Sequence, residues 1–191
     1  TWNTEIGILN FLPGGAHNVA NDKTKHLVRK WVPRVLRATA PRNSTNMDWI
    51  VFRVAELYLN YAEALNEYYE TPPKEAFDAV LKVRERSGMP GFPSTLNKEQ
   101  FREKLRRERA VELAYEDHRF WDIRRWLIAD DEGVMKGAMY GLQLSAVTGA
   151  PGKVHYKPYV FENRLWSDRS YLHPIKQTEI DKGYMLQNPG W

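Results

Sequence analysis

The sequence predicts a mainly α-helical fold, built from successive helical hairpins with long loops and closed by a small β-hairpin near the C-terminus. Three observations carry this reading. Apolar residues recur at helical spacing through most of residues 48–129. Proline and glycine divide that stretch into helix-length pieces. After the acidic run Asp130, Asp131, Glu132 and the Gly133 that follows it, the text changes to glycines, β-formers and turn residues.

Residues 1–47 show little periodicity. Pro13, Gly14, Gly15, Asn18, Asn21, Asp22, Pro33, Pro41, Asn43 and Ser44 break them into short pieces. They read as a long loop followed by an extended arm at 27–36, where Arg and Lys alternate with apolar residues. A free-standing domain seldom begins this way, so this segment is expected to continue a preceding part of the molecule.

From Asp48 the pattern is helical. Asp48 is placed to cap a helix that runs through Val54, Leu57, Tyr58, Tyr61 and Leu65 and stops near Glu70, ahead of Pro72 and Pro73. Alanines 55, 62 and 64 permit close helix approach. A second helix over 74–87 presents Ala76, Phe77, Val80 and Val83 on one face, with Gly88 in the position that closes a helix C-terminus. A loop with Pro90, Gly91 and Pro93 leads to Asn97, the expected cap of a third helix.

That third helix buries Phe101 and Leu105 and carries Glu108, Glu112 and Glu116 at i, i+4 and i+8. Three carboxylates in one line repel one another unless cations face them. Arg109, Arg119, Arg124 and Arg125 are the nearest supply in sequence. Asp117 and His118 mark a stop and restart, with Asp117 as cap for a helix over 119–129. Two successive helical hairpins over 48–129 predict a tetratricopeptide-like (TPR-like) scaffold. Strands at 140–147 and 155–166, joined by a turn at 148–152, form the hairpin of a last segment, 130–191, that is expected to pack on the scaffold. A turn at Pro174, a short helix at 177–182 and a capped terminus at 187–191 complete it.

Composition removes several function classes. The 191 residues are 42% hydrophobic and 27% charged, as for one globular domain that buries roughly 70% of its unfolded surface. Without cysteine there is no disulfide, thiolate nucleophile or cysteine metal site. No apolar run is long enough to cross a bilayer, and no secretory signal follows Thr1, so an anchor is expected only outside these residues. The net charge of +4 comes from 28 basic and 24 acidic residues with their signs interleaved, which argues against nucleic-acid binding.

The chemistry-bearing residues also have plainer roles. Glu112, Glu116 and Asp122 could be drawn as an acid/base pair for glycoside hydrolysis. Each has an arginine within a turn or across the junction, however, which favours ion pairs that fix helix packing. His17, His26, His118, His155 and His173 lack metal-ligand spacing, and Asp130, Asp131 and Glu132 lack the alternation of a calcium loop, so no metal or cofactor is expected. The seven Trp, ten Tyr and seven Phe are more telling, because aromatics beyond core needs provide stacking platforms. Trp31, Trp49, Trp121 and Trp126 lie on or beside the helices and are expected in the core.

Five stretches in order are specific in combination: FRVAELYLNYAEALNE at 52–67, VLKVRERSG at 80–88, RERAVELAYEDHRFWDIRRW at 107–126, YLHPIKQTEI at 171–180 and QNPGW at 187–191. Together they resemble the C-terminal half of the SusD/RagB family of nutrient-binding lipoproteins. The resemblance reaches back to about residue 25 through HLVRKWVPR. His173, Lys176 and Trp191 depart from the family's usual residues.

The resemblance implies a non-enzymatic, glycan-binding component of a cell-surface uptake complex on a Gram-negative outer membrane, held by a lipid on a cysteine outside this chain. Its partners would be an oligo- or polysaccharide, or in some members a peptide, and a SusC-like TonB-dependent transporter that receives the ligand. Sugar rings stack on aromatic faces while their hydroxyls bond to polar side chains, so the ligand-binding residues expected are Trp2, Phe11, His17, Asn18, Tyr159, Arg164 and Trp166. The alternative is a TPR-like adaptor that binds a protein and no sugar.

Overall fold

The structure is a computed structural model that describes residues 22–25, 28, 30, 50–149 and 153–191. The chain divides into two compact units, Asp48–Asp122, and Thr1–Met47 together with Ile123–Trp191. Among the described residues the fold is mainly helical with one antiparallel two-stranded hairpin, as the sequence predicts.

The first unit holds α1 (Val54–Tyr68), α2 (Lys74–Glu85), α3 (Lys98–Glu112) and most of α4 (His118–Arg125). Its core is made where α1 meets α2 and α3. Leu59 and Ala62 of α1, Ala76, Ala79, Val80 and Val83 of α2, and Phe101 and Leu105 of α3 are buried together with Leu113. Phe101 is fully enclosed, with the rings of Phe77 and Phe92 edge-on to it at centroid distances of 4.9 and 5.7 Å. The alanines at 62, 76 and 79 keep the helix surfaces low enough for this contact.

Helix starts and stops follow sequence signals where those signals are local. Asn97 Oδ1 accepts the Gln100 amide at 2.9 Å, and Gln100 Oε1 accepts the Asn97 amide at 3.1 Å, which completes a capping box on α3. Gly88, at φ +70°, lets the Met89 amide reach back to the Arg84 carbonyl after α2.

Elsewhere the ends differ from the prediction. The helix expected from Asp48, which lies outside the described residues, starts only at Val54, and residues 50–52 are exposed and non-helical. Arg53 takes the cap position in extended conformation without capping by its side chain, which is engaged by Glu112 and Glu116. Helix α3 ends at Glu112, because Tyr115 (φ 63°) and Asp117 (φ 62°) adopt left-handed conformations. Asp117 is therefore a turn residue, and Glu116 leaves the line of glutamates.

The cations for those glutamates come from further away than expected. Arg84 of α2 pairs with Glu108, Arg86 reaches Glu112 at 2.8 Å, and Arg53 bonds to Glu112 and, at 2.7 Å, to Glu116. Burial opposes the Arg53 charge, but its hydrogen bonds to Glu116 and Glu112 hold its pKa above the ordinary arginine value. Arg109 turns instead to Asp122 at 2.6 Å and to Asn60 Oδ1 at 2.5 Å. Trp121, expected in the core, is 61% exposed and packs edge-on to Phe120, because α4 directs Asp122 and Ile123 inward. Trp126 is half-buried beneath Arg125, while Trp31 and Trp49 lie outside the described residues.

In the second unit, β1 (Gly137–Ala146) pairs with β2 (Val154–Arg164) from Ala146 opposite Val154 to Gly137 opposite Arg164. A bulge between Met139 and Tyr140 leaves Phe161 as the extra residue on β2. Along the other edge of β1, the Lys23 carbonyl accepts the Leu142 amide at 2.8 Å. Gly141 makes that approach possible, since a Cβ there would lie 2.3 Å from the Lys23 oxygen.

A 3-10 turn (Asp168–Tyr171) and the short α5 (Gln177–Ile180) follow. The last residues fasten this segment to itself. Gln187 brackets Ile175, accepting its amide at 2.8 Å and donating to its carbonyl at 2.9 Å. Asn188 donates to the His173 carbonyl at 2.6 Å, and the Trp191 indole donates to the Arg169 carbonyl at 2.9 Å beneath the Arg169 guanidinium. The QNPGW stretch thus acts as a staple on the residues around Pro174.

Candidate ligand-binding surface

Side chains alternate across a strand pair, and the register sorts this hairpin into two unlike faces. One face carries Tyr140, Leu142, Leu144 and Ala146 opposite Val160, Pro158, Tyr156 and Val154. The other carries Gly137, Met139, Gly141, Gln143 and Ser145 opposite Arg164, Glu162, Tyr159, Lys157 and His155. The apolar face is open to solvent, with Tyr140 64% and Tyr156 65% exposed. Their positions are four rungs apart, about 13 Å along the ribbon, and each presents a flat ring with a hydroxyl at its tip.

The polar face is shaped by its glycines. The Tyr159 ring lies over Gly141, where a Cβ would come within 3.1 Å of the ring. At Gly137 the Glu132 carboxylate occupies the space of the missing side chain and accepts the Ala138 amide at 3.3 Å. Arg164 donates to Glu162 at 3.2 Å on the same face. This side offers a tyrosine, a guanidinium, carboxylates, an amide and hydroxyls, the donor and acceptor set that a polyhydroxylated ligand uses.

Two of the residues expected to bind ligand, Tyr159 and Arg164, lie on this face, opposite Gly141 and Gly137. Trp166 is placed differently. Its ring is half-buried, edge-on to Tyr171 at 5.1 Å and under Arg124 at 5.3 Å, and its indole N–H is buried with no acceptor among the described residues. Trp2, Phe11, His17 and Asn18 lie outside the described residues. Tyr156 is not among the residues expected from sequence, and Tyr140 was legible only as an aromatic outside the helices. Their shared face emerges from the Tyr-x-Leu-x-Leu and Tyr-x-Pro-x-Val alternation once the register is known.

Glu112, Glu116 and Asp122 are held by arginines. Arg53 takes Glu112 and Glu116, and Arg109 takes Asp122. Among the described residues no group of three or more His, Asp or Glu is disposed to hold a metal ion, and no helix is long and apolar enough to cross a membrane. In the acidic turn, Tyr171 donates to Asp130 and accepts the Ala129 amide at 3.0 Å.

The Tyr171 hydrogen bond pulls the Asp130 carboxyl below its ordinary range, while burial and the same bond raise the tyrosine hydroxyl. A depressed carboxyl stabilises the fold above its unfolded pKa of about 3.9 and loses that contribution as pH falls through the folded value. A raised phenol contributes below about pH 10 and loses its contribution as pH rises through the folded value. Tyr171→Phe is therefore expected to move the Asp130 titration upward toward the ordinary aspartate value in carboxyl NMR. An unchanged Asp130 titration would rule out the hydrogen bond as the cause.

Comparison with known proteins agrees with this architecture. The SusD family model matches residues 6–191. SusD-like protein P25 of Formosa agariphila is 40% identical over 95 residues, covering 48% of this chain and 18% of that protein. SusD-like protein P2 of the same organism is 30% identical over 158 residues, covering 78% of this chain and 26% of that protein. Among solved structures, a SusD homolog from Bacteroides thetaiotaomicron aligns with a TM-score of 0.54 at 30% identity, over 78% of this chain and 30% of that one. A SusD superfamily protein from Parabacteroides distasonis aligns at 0.52 and 25% identity, over 75% of this chain and 27% of that one. The chain thus spans from 18% to 30% of the length of these relatives. It belongs to the SusD family.

Proposed function

We propose that this chain is the glycan-binding C-terminal part of a nutrient-uptake protein of the bacterial cell surface. In this reading the full protein is lipid-anchored in the outer membrane and passes its ligand to a SusC-like TonB-dependent transporter. The observation that carries the sugar-binding part is the two-faced hairpin, with Tyr140 and Tyr156 exposed on one side and Tyr159, Glu162 and Arg164 on the other. Aromatic faces take the C–H side of a pyranose, and the charged and amide groups take its hydroxyls. SusD family membership supports the nutrient-binding role. The function is capture without bond cleavage, since the helical carboxylates that could act as acids are held in ion pairs. Trp2, Phe11, His17 and Asn18 extend the same proposal to the N-terminal segment.

One observation favours the second reading, a helical adaptor. Helix α1 is apolar on two sides, and Val54, Leu57, Tyr58, Tyr61 and Tyr68 form an exposed stripe opposite its buried residues, the kind of face into which a partner helix docks.

Affinity electrophoresis in gels containing soluble polysaccharides separates the two. Retardation by at least one glycan is expected, with Tyr156→Ala and Arg164→Ala each weakening it about tenfold, as for loss of an interface anchor. Equal retardation of both variants and the parent would remove the hairpin from the site.

A further inference from the structure

We infer that the groove between the start of α2 and the loop at 89–96 is a second sugar-binding site, one that takes one or two pyranose rings. This inference rests on the glycan-binding reading above and concerns the helical unit alone. The groove encloses about 440 Å³ and is walled by Phe77, Leu81 and Phe92, with Lys74, Asp78 and Ser94 at its rim. That volume lies within the range of small-ligand pockets.

Its aromatic wall is held rigid. Phe77 and Phe92 are both edge-on to the buried Phe101. The Arg84 guanidinium sits 5.2 Å from the centre of the Phe92 ring and is itself fixed by the Pro90 carbonyl at 2.6 Å and by Glu108. A ring immobilised before the ligand arrives loses little entropy on binding.

The rim decides the ligand class. Lys74 and Asp78 form a solvated i, i+4 pair whose side chains are 83% and 51% exposed. Such a pair contributes little by itself and can turn its ammonium and carboxylate to ligand hydroxyls at small cost. One cation beside one carboxylate gives the groove no net charge with which to select an anion or a cation. Apolar walls beneath a neutral rim of donors and acceptors match a ligand with a C–H face and hydroxyl edges, which is a sugar.

The test is an amide-resolved NMR titration of the whole chain with methyl glucoside, methyl galactoside, methyl mannoside, maltose and cellobiose, in the parent, Asp78→Ala, Phe92→Leu and the Tyr140→Ala/Tyr156→Ala double variant. Saturable shifts of Gly91, Phe92 and Ser94 are expected with at least one sugar. They should persist in the tyrosine double variant and weaken at least fivefold in Asp78→Ala, a surface change that leaves the core intact, and in Phe92→Leu. Shifts confined to the hairpin would overturn this site and leave the proposed function standing. No saturable shift anywhere in the folded chain would overturn both.

Discussion

Replacing Arg109 by alanine is expected to destabilise the helical unit by about 3–5 kcal/mol, the cost of removing one member of a buried ion pair. Arg109 is 5% and Asp122 4% exposed, and the guanidinium meets the carboxylate at 2.6 Å, Asn60 Oδ1 at 2.5 Å and Glu56 at 3.9 Å. Without Arg109, the buried Asp122 carboxylate and Asn60 Oδ1 each lose their hydrogen bond to the guanidinium. A double replacement with Arg109→Met and Asp122→Leu removes both charges and fills the space, so it should regain most of the loss. Urea unfolding followed by circular dichroism measures both variants. A loss below about 1 kcal/mol for Arg109→Ala would show that the pair is hydrated and that its arginine does not tie α3 to α4.

Phe101→Ala is expected to cost a similar 3–5 kcal/mol. The side chain is fully buried where α1, α2 and α3 meet, so truncation opens a cavity that the surrounding alanines cannot close. It also removes both edge-to-face contacts, with Phe77 and Phe92, each contributing about 0.5–1.5 kcal/mol beyond burial. Phe101→Leu keeps most of the volume and loses the ring geometry, so it should fall well short of the alanine cost. Equal losses for the two variants would mean that ring contacts, rather than the cavity, dominate.

The parts of this fold that were legible in sequence are those settled by neighbouring residues. Asn97 with Gln100 caps α3, Gly88 closes α2, and the buried faces of α2 and α3 follow from residue spacing. The QNPGW ending was legible as a capped terminus, and the structure supplies its purpose in the bonds of Gln187, Asn188 and Trp191. What could not be read locally was set by distant partners. Helix α1 starts late because the Arg53 side chain is drawn to Glu112 and Glu116, 59 and 63 residues away. The arginines that neutralise Glu108 and Glu112 come from α2 and the α1 cap, although closer ones stood in sequence.

Trp121 shows the limit of treating large aromatics as core. On a short helix with one inward side, the inner places went to a charged residue with a buried partner, Asp122, and to Ile123. The candidate surface divides along the same line. Tyr159 and Arg164 were proposed from residue type alone, whereas the common face of Tyr140 and Tyr156 depends on the register that sets Leu144 opposite Tyr156, and the bulge at Met139 and Tyr140 is what puts Glu162 and Arg164 on the face of Tyr159.

The most direct test of the central claim is calorimetric titration of the chain with a panel of neutral oligosaccharides, beside the Tyr140→Ala/Tyr156→Ala double variant, with helical circular dichroism as the control for folding. The account predicts saturable binding of at least one oligosaccharide, with the hairpin-dependent binding weakened at least tenfold in the double variant at unchanged helicity. Folded protein that binds none of them, or binds with the same affinity in both forms, would contradict it.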